Sequence, residues 1–257
     1  SDTATMESKT LRQRMYDGET VIGTFQIIDS PMIGEITGQA GMDFVILDQE
    51  HGPLTAETSL GLCAAAERGG TSPIIRVRDN SGPEIQRALD IGASGVQIPQ
   101  IETREDAEAA AAAARFDPIG ERGLSKYVRA GNYHGGDDYT ERQNEKATVI
   151  VHIEGESAIE NVGEIAEVEG IDVLFIGPYD LSQSLGIPGQ VQDPRVEAKM
   201  EEICERVEGT DAIIGTYADT PEMANRWIDA GAQYVCVWVD CAIYKRAVSD
   251  LLDGVEY

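Results

Sequence analysis

Five polar side chains interrupt or follow short apolar runs, and together they could support metal-assisted chemistry on a small acid: Asp48, His51, Arg76, Glu154 and Asp180. A charge in or beside an apolar strand costs free energy unless it is paired or bound to a metal. Arg76, in Pro-Ile-Ile-Arg, and Glu154, in Val-His-Ile-Glu, are therefore unusual for a core. Two carboxylates on adjacent strands, Glu154 and Asp180, suit a hard divalent cation such as Mg²⁺ or Mn²⁺, with water in the remaining positions.

The spacing of Asp48 and His51 predicts a proton-transfer pair. An aspartate that orients an imidazole is a common arrangement for moving protons near neutral pH. Structural alternatives exist, because a histidine beside charged residues is more often a surface residue, and Arg76 with a carboxylate could be a structural ion pair. The functional interpretation is favoured because several such residues share the carboxyl ends of predicted strands.

The residues that other mechanisms need are not in the right places. A Schiff-base mechanism needs a lysine that projects into the site, and none of the five lysines lies in a predicted strand or at its carboxyl end. The three histidines, His51, His134 and His152, are too scattered for a zinc site rich in nitrogen ligands. No paired glycines follow the last two predicted strands, so a substrate without a phosphate group is expected.

Eight short apolar runs bounded by turn residues predict buried parallel strands: Val21–Ile28, Phe44–Leu47, Pro73–Val77, Gly95–Pro99, Thr148–Ile153, Asp172–Ile176, Ala212–Gly215 and Tyr234–Val239. Stretches between them have helical spacing: Ala56–Arg68, Gly82–Ile91, Thr103–Arg115, Ser157–Val168, Pro194–Glu208 and Thr220–Ala230. This alternation predicts an α/β fold, a single (β/α)₈ TIM barrel over residues 1–257, because no glycine-rich loop of a doubly wound sheet follows the first strand. The long segment 116–145 is expected to overhang the carboxyl-terminal mouth as a lid, with a neutral insertion as the alternative.

The composition excludes several classes of partner. The chain has 257 residues, 46 of them acidic and 20 basic, with a formal net charge of −26. Such a surface repels nucleic acid and anionic membranes, and no apolar run is long enough to cross a bilayer. An acidic, lysine-poor surface is typical of a salt-rich cytoplasm, so a halophilic source is expected. The polar start of the chain lacks a secretory signal, so a cytoplasmic location is expected, and the cysteines are expected to be free thiols.

Several blocks of the sequence resemble the HpcH/HpaI aldolase family, which comprises metal-dependent (class II) pyruvate aldolases. The blocks are Asp48–Pro53, Pro73–Arg76, Ala88–Ala93, Gly120–Gly123 and Phe175–Ser182, in order within Val21–Val248. The resemblance implies reversible cleavage of a 4-hydroxy-2-oxo acid to pyruvate, or a close analogue, and an aldehyde through a metal-bound enolate. Alternatives are another lyase or decarboxylase reaction on a dicarboxylic 2-oxo acid, or a barrel that binds metal and small acids without turnover.

The resemblance also implies a role for each of the five candidate residues. Glu154 and Asp180 would bind Mg²⁺, Mn²⁺ or Co²⁺, together with the carboxylate and 2-oxo oxygen of the substrate. Arg76 would stabilise the enolate oxygen, which is a preorganised positive charge placed where negative charge develops. His51 with Asp48 would move protons through water.

Two further positions bear on the substrate. By resemblance, backbone near Gly177, Tyr179 and Asp180 would hold the substrate carboxylate. The family usually has glutamine where this chain has His152, on the same face of the strand as Glu154. His152 therefore either supports the metal ligands from behind, which we favour, or fills the barrel interior. Tyr179 replaces a smaller residue and is expected to narrow the aldehyde side of the site.

Family members commonly assemble as trimers or hexamers, so a homo-oligomer is implied. The last predicted helix, Ala242–Leu252, has an apolar face that needs a partner, either its own barrel or a neighbouring subunit onto which it is swapped. Asp90, by the same resemblance, would lie at a subunit contact near the mouth.

Overall fold

Eight parallel strands close into a barrel in the computed structural model, which describes residues 9–256. The strands are β1 (Val21–Gln26), β2 (Phe44–Asp48), β3 (Ser72–Arg76), β4 (Gly95–Ile101), β5 (Thr148–Ile153), β6 (Val173–Ile176), β7 (Ile213–Ala218) and β8 (Tyr234–Val239). Each strand pairs with the next along the chain, and β8 pairs with β1. The predicted (β/α)₈ fold is confirmed. The single domain over residues 1–257 stays a prediction, since residues 1–8 and 257 lie outside the described residues.

Helices surround the barrel, and the first of them, Leu11–Tyr16, lies at its amino-terminal end, where Leu11 and Met15 join the apolar cluster of the interior. The helices are α1 (Leu11–Tyr16), α2 (Pro31–Gln39), α3 (Ala56–Gly69), α4 (Gly82–Asp90), α5 (Arg104–Ala114), α6 (Tyr139–Lys146), α7 (Gly155–Glu160), α8 (Val162–Ala166), α9 (Pro178–Ser184), α10 (Pro194–Arg206), α11 (Pro221–Asp229) and α12 (Asp240–Asp253). Threonine hydroxyls cap α3, α5 and α11 by accepting a backbone N–H of the first turn. The predicted helix Ser157–Val168 is two helices, α7 and α8, separated at Asn161.

The strands are buried on both faces. Inside the barrel, Phe44 stacks on Tyr234 with ring centroids 4.1 Å apart. Outside, four alanines of α5 are buried over β4 and β5, where small side chains allow a close approach: Ala107, Ala110, Ala111 and Ala114. Because both faces are buried, these strands appear in the sequence as continuous apolar runs. All four cysteines are free thiols, as expected, and two of them are buried.

The long segment 116–145 lies at the amino-terminal end of the barrel, opposite the mouth. Arg115, just after α5, donates from Nη1 to the carbonyls of Asn144 and Ala147 at 2.7 Å each. Its Nη2 lies 2.6 Å from the carboxylate of Asp172, the residue that precedes β6. Because α5 has already carried the chain back from the mouth, the segment that follows begins at the opposite end. The predicted lid is therefore wrong.

The last helix, α12, exposes its apolar side chains. Ile243, Val248, Leu251 and Leu252 are 40%, 44%, 74% and 57% exposed. The alternative that this face packs on its own barrel is therefore wrong, and the face is available to another surface. No helix within residues 9–256 combines the length and the apolar character that a membrane span requires.

Candidate active site

Four of the predicted site residues lie together at the carboxyl-terminal mouth of the barrel. Asp48 and Arg76 are the last residues of β2 and β3, and the strand register places them directly opposite each other. Glu154 follows β5, and Asp180 lies in the first turn of α9, just after the adjacent strand β6. The barrel therefore presents two pairs of charged side chains on one face, as the carboxyl ends of barrel strands generally do.

Arg76 is held rigidly by two acids and an aromatic ring. Its Nε and Nη2 donate to the two carboxylate oxygens of Asp48 at 2.8 and 2.6 Å, and its Nη1 lies 3.2 Å from Glu50 Oε2. The guanidinium also lies 4.6 Å from the centre of the Phe25 ring. Burial opposes charging of Asp48, but the hydrogen bonds and charge of Arg76 outweigh it, so the pKa of Asp48 is lowered. Both groups are therefore ionised at neutral pH.

His51 does not form the predicted side-chain pair with Asp48. The Asp48 carboxylate accepts from the backbone N–H groups of Glu50 and His51, at 3.0 and 3.4 Å, and both of its oxygens also accept from Arg76. The imidazole is 76% exposed, and its Nε2 lies 3.8 Å from Glu50 Oε2. Arg76, and not His51, pairs with Asp48, because it lies opposite Asp48 in the strand register and can donate to both carboxylate oxygens. His51 as a proton carrier stays a prediction, with Glu50 rather than Asp48 nearest.

Glu50 was not among the predicted site residues. Its carboxylate is 13% exposed beside Arg76. Burial raises the pKa of Glu50 and the nearby Glu154 charge adds to the increase, whereas Arg76 and His152 lower it. The signal in the sequence was the acid run that contains Asp48, since an arginine at a strand end can bind two carboxylates at once.

Glu154 is fixed by the histidine two residues before it. His152 Nδ1 lies 2.6 Å from Glu154 Oε1. This hydrogen bond is the main reason why the pKa of Glu154 is lowered, against the opposing effect of burial. One carboxylate oxygen is thus engaged, and the other is free for a ligand. His152 contacts Glu154 from the barrel interior, which agrees with support from behind rather than packing alone.

His152 is in turn held by an interior polar relay. Tyr234 donates to Gln97 Oε1 at 3.2 Å, and Gln97 Nε2 lies 2.5 Å from His152 Nε2. This direction makes His152 Nε2 the acceptor and leaves the proton on Nδ1, facing Glu154. The imidazole stacks on Phe175 with ring centroids 4.7 Å apart, and burial lowers its pKa. The neutral tautomer that donates to Glu154 is therefore favoured.

Asp180 offers its carboxylate beside that of Glu154. Its pKa is raised by burial and by the charge of Glu154, although its own backbone N–H opposes the shift. Gly177 makes room for this side chain, because a Cβ at that position would collide with the Asp180 carboxylate. No side-chain donor bonds to Asp180 within residues 9–256. Glu154 and Asp180 therefore form a pair of carboxylates whose negative charges repel each other.

This pair suits a hard divalent cation. Oxygen ligands from one or two carboxylates, completed by water or substrate, are what Mg²⁺ and Mn²⁺ usually take from a protein. A cation between the two acids would also remove the repulsion that raises the pKa of Asp180. Within residues 9–256, no three acidic, histidine or cysteine side chains gather to form a fuller ligand set. The donor set thus leaves positions for a chelating substrate.

Tyr179 borders the open side of the mouth. Its ring is 47% exposed, and its hydroxyl donates to Asp219 Oδ2 at 2.5 Å. That hydrogen bond, with burial, raises the pKa of Tyr179 to about 12. Asp219, which directly follows β7, was not predicted, because its sequence context shows only the end of an apolar run.

Asp90 lies at the other end of its own barrel. It is the last residue of α4, and its carboxylate accepts from Arg122 Nη2 at 2.6 Å. The side chain of Arg122 is fully buried. Asp90 is therefore remote from the mouth of its own subunit, and a role at a subunit contact stays a prediction.

Known proteins are similar to this chain over most of its length. The family model described as HpcH/HpaI aldolase/citrate lyase matches residues 22–247. The 2-keto-3-deoxy-L-rhamnonate aldolase of Escherichia coli O9:H4 is 34% identical over 95% of this chain and 92% of its own length. The 5-keto-4-deoxy-D-glucarate aldolase of Shigella boydii serotype 18 is 34% identical over 90% of each chain.

A solved structure has a closely similar fold. A HpcH/HpaI aldolase/citrate lyase family protein from Burkholderia cenocepacia J2315 superposes with a TM-score of 0.87 and 31% identity, over 95% of this chain and 97% of that chain. The family model and the two aldolases each cover most of the sequence, so the chain is a carbon–carbon lyase. It belongs to the HpcH/HpaI aldolase/citrate lyase family.

Proposed function

We propose that this aldolase depends on a divalent metal and reversibly cleaves a 4-hydroxy-2-oxo acid to pyruvate, or a close analogue, and an aldehyde. The observation that carries the proposal is the pair of neighbouring carboxylates, Glu154 and Asp180, across the same mouth as the fixed guanidinium of Arg76. The two relatives act on different keto-deoxy sugar acids at equal identity, so overall similarity does not choose the substrate.

Glu154 and Asp180 are the residues that would hold Mg²⁺, Mn²⁺ or Co²⁺. When bound, such an ion supplies Lewis-acid stabilisation of the negative charge that develops on the 2-oxo oxygen. His152 orients Glu154 by bonding one of its oxygens. Gly177 lets the Asp180 carboxylate approach the backbone, and the backbone near Gly177 and Tyr179 would hold the substrate carboxylate.

Arg76 supplies a second positive charge that is in place before the reaction begins. Its guanidinium is 12% exposed and bonded to both oxygens of Asp48, so it cannot turn away as charge develops. Preorganised charge of this kind avoids reorganisation at the moment of reaction. His51, exposed at the mouth, would carry protons between the reacting atoms and water, with Asp48 acting through Arg76 rather than through the imidazole.

We further propose that the chain forms a homo-oligomer, a trimer or hexamer, in which α12 packs on a second copy. Four large apolar side chains of α12 are at least 40% exposed, which is costly for a helix without a partner. A halophilic source also remains a proposal, supported by the acidic composition, and a cytoplasmic location stays a prediction. If the source is halophilic, the midpoint of thermal unfolding should rise as KCl is increased to molar concentration, because counterions screen a net charge of −26.

The test is a pyruvate-release assay on 2-keto-3-deoxy sugar acids, with and without EDTA. Metal removal should abolish release, and added Mg²⁺ or Mn²⁺ should restore it. Glu154→Gln, which keeps the shape but loses the charge, should not be rescued at the same metal concentration. Release that persists after complete metal removal would contradict the proposal.

The same assay distinguishes the alternatives. Decarboxylation of oxaloacetate without cleavage of hydroxy acids would favour lyase chemistry on a dicarboxylic 2-oxo acid. A barrel that binds acids without turnover is not supported, because the proteins that are similar over most of this chain are enzymes.

A further inference from the structure

Tyr234 lies on the far side of the barrel from the carboxylate pair and is fully buried. It is the first residue of β8, whereas its hydrogen-bond partner Gln97 belongs to β4, four strands away around the closed barrel. Gln97 is also fully buried, and it reaches His152 on the neighbouring strand β5. These contacts therefore form a path across the barrel interior that ends two residues before Glu154.

The hydrogen bonds of this path agree in direction from one end to the other. The Tyr234 hydroxyl donates to Gln97 Oε1 at 3.2 Å, so the Gln97 amide nitrogen faces His152 Nε2. A neutral imidazole that accepts at Nε2 carries its proton on Nδ1, which lies 2.6 Å from Glu154 Oε1. If the amide were turned over, its oxygen would face Nε2, and Nδ1 and Glu154 Oε1 would face each other as two acceptors. The hydroxyl of Tyr234 favours the first arrangement, because it offers a donor to the amide oxygen.

Aromatic packing fixes the position of that hydroxyl. The Tyr234 ring stacks on Phe44 with centroids 4.1 Å apart, and it meets the Phe175 ring nearly edge-on at 6.2 Å. Phe175 in turn stacks on the His152 imidazole at 4.7 Å. Tyr234 thus contacts both the amide that bonds the edge of the imidazole and the ring that packs on its face.

We propose that Tyr234 and Gln97 are positioning residues for the metal ligand Glu154: they keep His152 as a donor to one carboxylate oxygen, so that the other oxygen is free for the cation. This inference rests on the proposed metal dependence. Loss of a contact behind a metal ligand typically weakens metal binding by about tenfold to a hundredfold. Tyr234 acts through two further side chains, so its hydroxyl is expected to contribute less, about three- to tenfold.

The first measurement is the nitrogen NMR spectrum of the metal-free protein, with ¹⁵N in its histidines, at mildly alkaline pH. The chain has three histidines, and the His152 signals are identified by their loss in His152→Phe. In the wild-type protein, Nδ1 should carry the proton and Nε2 should be bare, which the two nitrogen shifts distinguish. Tyr234→Phe keeps the ring and removes only the hydroxyl. It should give Nε2 partial proton occupancy, because the Gln97 amide is then free to turn over.

The second measurement is Mn²⁺ affinity by electron paramagnetic resonance. Binding should weaken about three- to tenfold in Tyr234→Phe, and at least as much in Gln97→Met, which removes the amide but keeps a side chain of similar length. The matched control is Tyr139→Phe. Tyr139 is a buried tyrosine of α6, near the amino-terminal end of the barrel, and its hydroxyl has no hydrogen-bond partner within residues 9–256. This variant should leave the affinity and the His152 signals unchanged.

The outcomes separate this inference from the proposed function. Wild-type protein that binds no Mn²⁺, or Glu154→Gln that binds it equally well, would reject the metal site and the inference with it. If affinity depends on Glu154 but is the same in wild type and Tyr234→Phe, only the positioning role is overturned. The same holds if the His152 signals do not change in Tyr234→Phe, or if Tyr139→Phe weakens Mn²⁺ binding equally, since the effect would then be one of general packing.

Discussion

Replacement of Asp48 by asparagine tests whether the Arg76 pair is part of the chemistry or only of the fold. The variant keeps the size of the side chain but removes its charge and one of the two acceptors of Arg76. Removing one partner of a buried ion pair typically costs about 3–5 kcal/mol. Glu50 remains 3.2 Å from Arg76. Because this second acid offsets part of the loss, we expect the free energy of unfolding to fall by about 2–3 kcal/mol.

The pH dependence of this loss has a definite sign. The pKa of Asp48 is lower in the folded protein than its ordinary value, because Arg76 outweighs burial. Its contribution to stability is therefore present above the unfolded pKa, about 3.9, and is lost as pH falls through the lowered folded value. The difference in stability between wild type and Asp48→Asn should be full at neutral pH and should shrink in acid.

Activity should fall more than stability accounts for. A guanidinium bonded through one acceptor can rotate, and misplacement of a preorganised charge costs about 10²–10³ in kcat. Stability is measured by urea unfolding from acid to neutral pH, and kcat under conditions where both proteins are folded. Glu197→Gln is the control, since this acid accepts two bonds from Arg226 but is 35% exposed, and its loss should cost less than about 1 kcal/mol. Unchanged kcat with reduced stability would mean that the pair is structural only.

Three further predictions follow from the structure. His152→Phe keeps the stacked ring but not the bond to Glu154, so Mn²⁺ should bind about tenfold more weakly by electron paramagnetic resonance; equal affinity would contradict the orienting role. The free energy of unfolding should also fall, by about 1–3 kcal/mol, because the buried Gln97 amide loses its acceptor. Asp172→Asn, at a carboxylate that is 1% exposed and paired with Arg115, should reduce the free energy of unfolding by about 3 kcal/mol in urea, and a change below about 1 kcal/mol would be contrary evidence. Leu251→Glu should shift sedimentation toward a monomer, whereas an unchanged mass would argue against packing of α12 on a second copy.

Much of the architecture was predictable from the sequence. All eight strands were located within a few residues, because strands buried on both faces require continuous apolar runs. Four short helices were missed: α1, α2, α6 and α9 have at most nine residues, too few turns to establish a helical period. The lid prediction is wrong because α5 runs back from the mouth, so segment 116–145 begins at the opposite end of the barrel.

For the site, the sequence by itself determined which residues stand at the carboxyl ends of the strands: Asp48, Arg76, Glu154 and Asp180. Charged residues beside apolar strands can be recognised in the sequence, because a buried charge requires a partner and is therefore unusual there. The partners themselves were decided only by tertiary structure. The strand register places Asp48 opposite Arg76, so the aspartate pairs with the arginine and not with His51. Closure of the barrel allows Tyr234 to hydrogen-bond Gln97, which in turn contacts His152. Such contacts join residues far apart in the chain, and their geometry exists only once the barrel has closed.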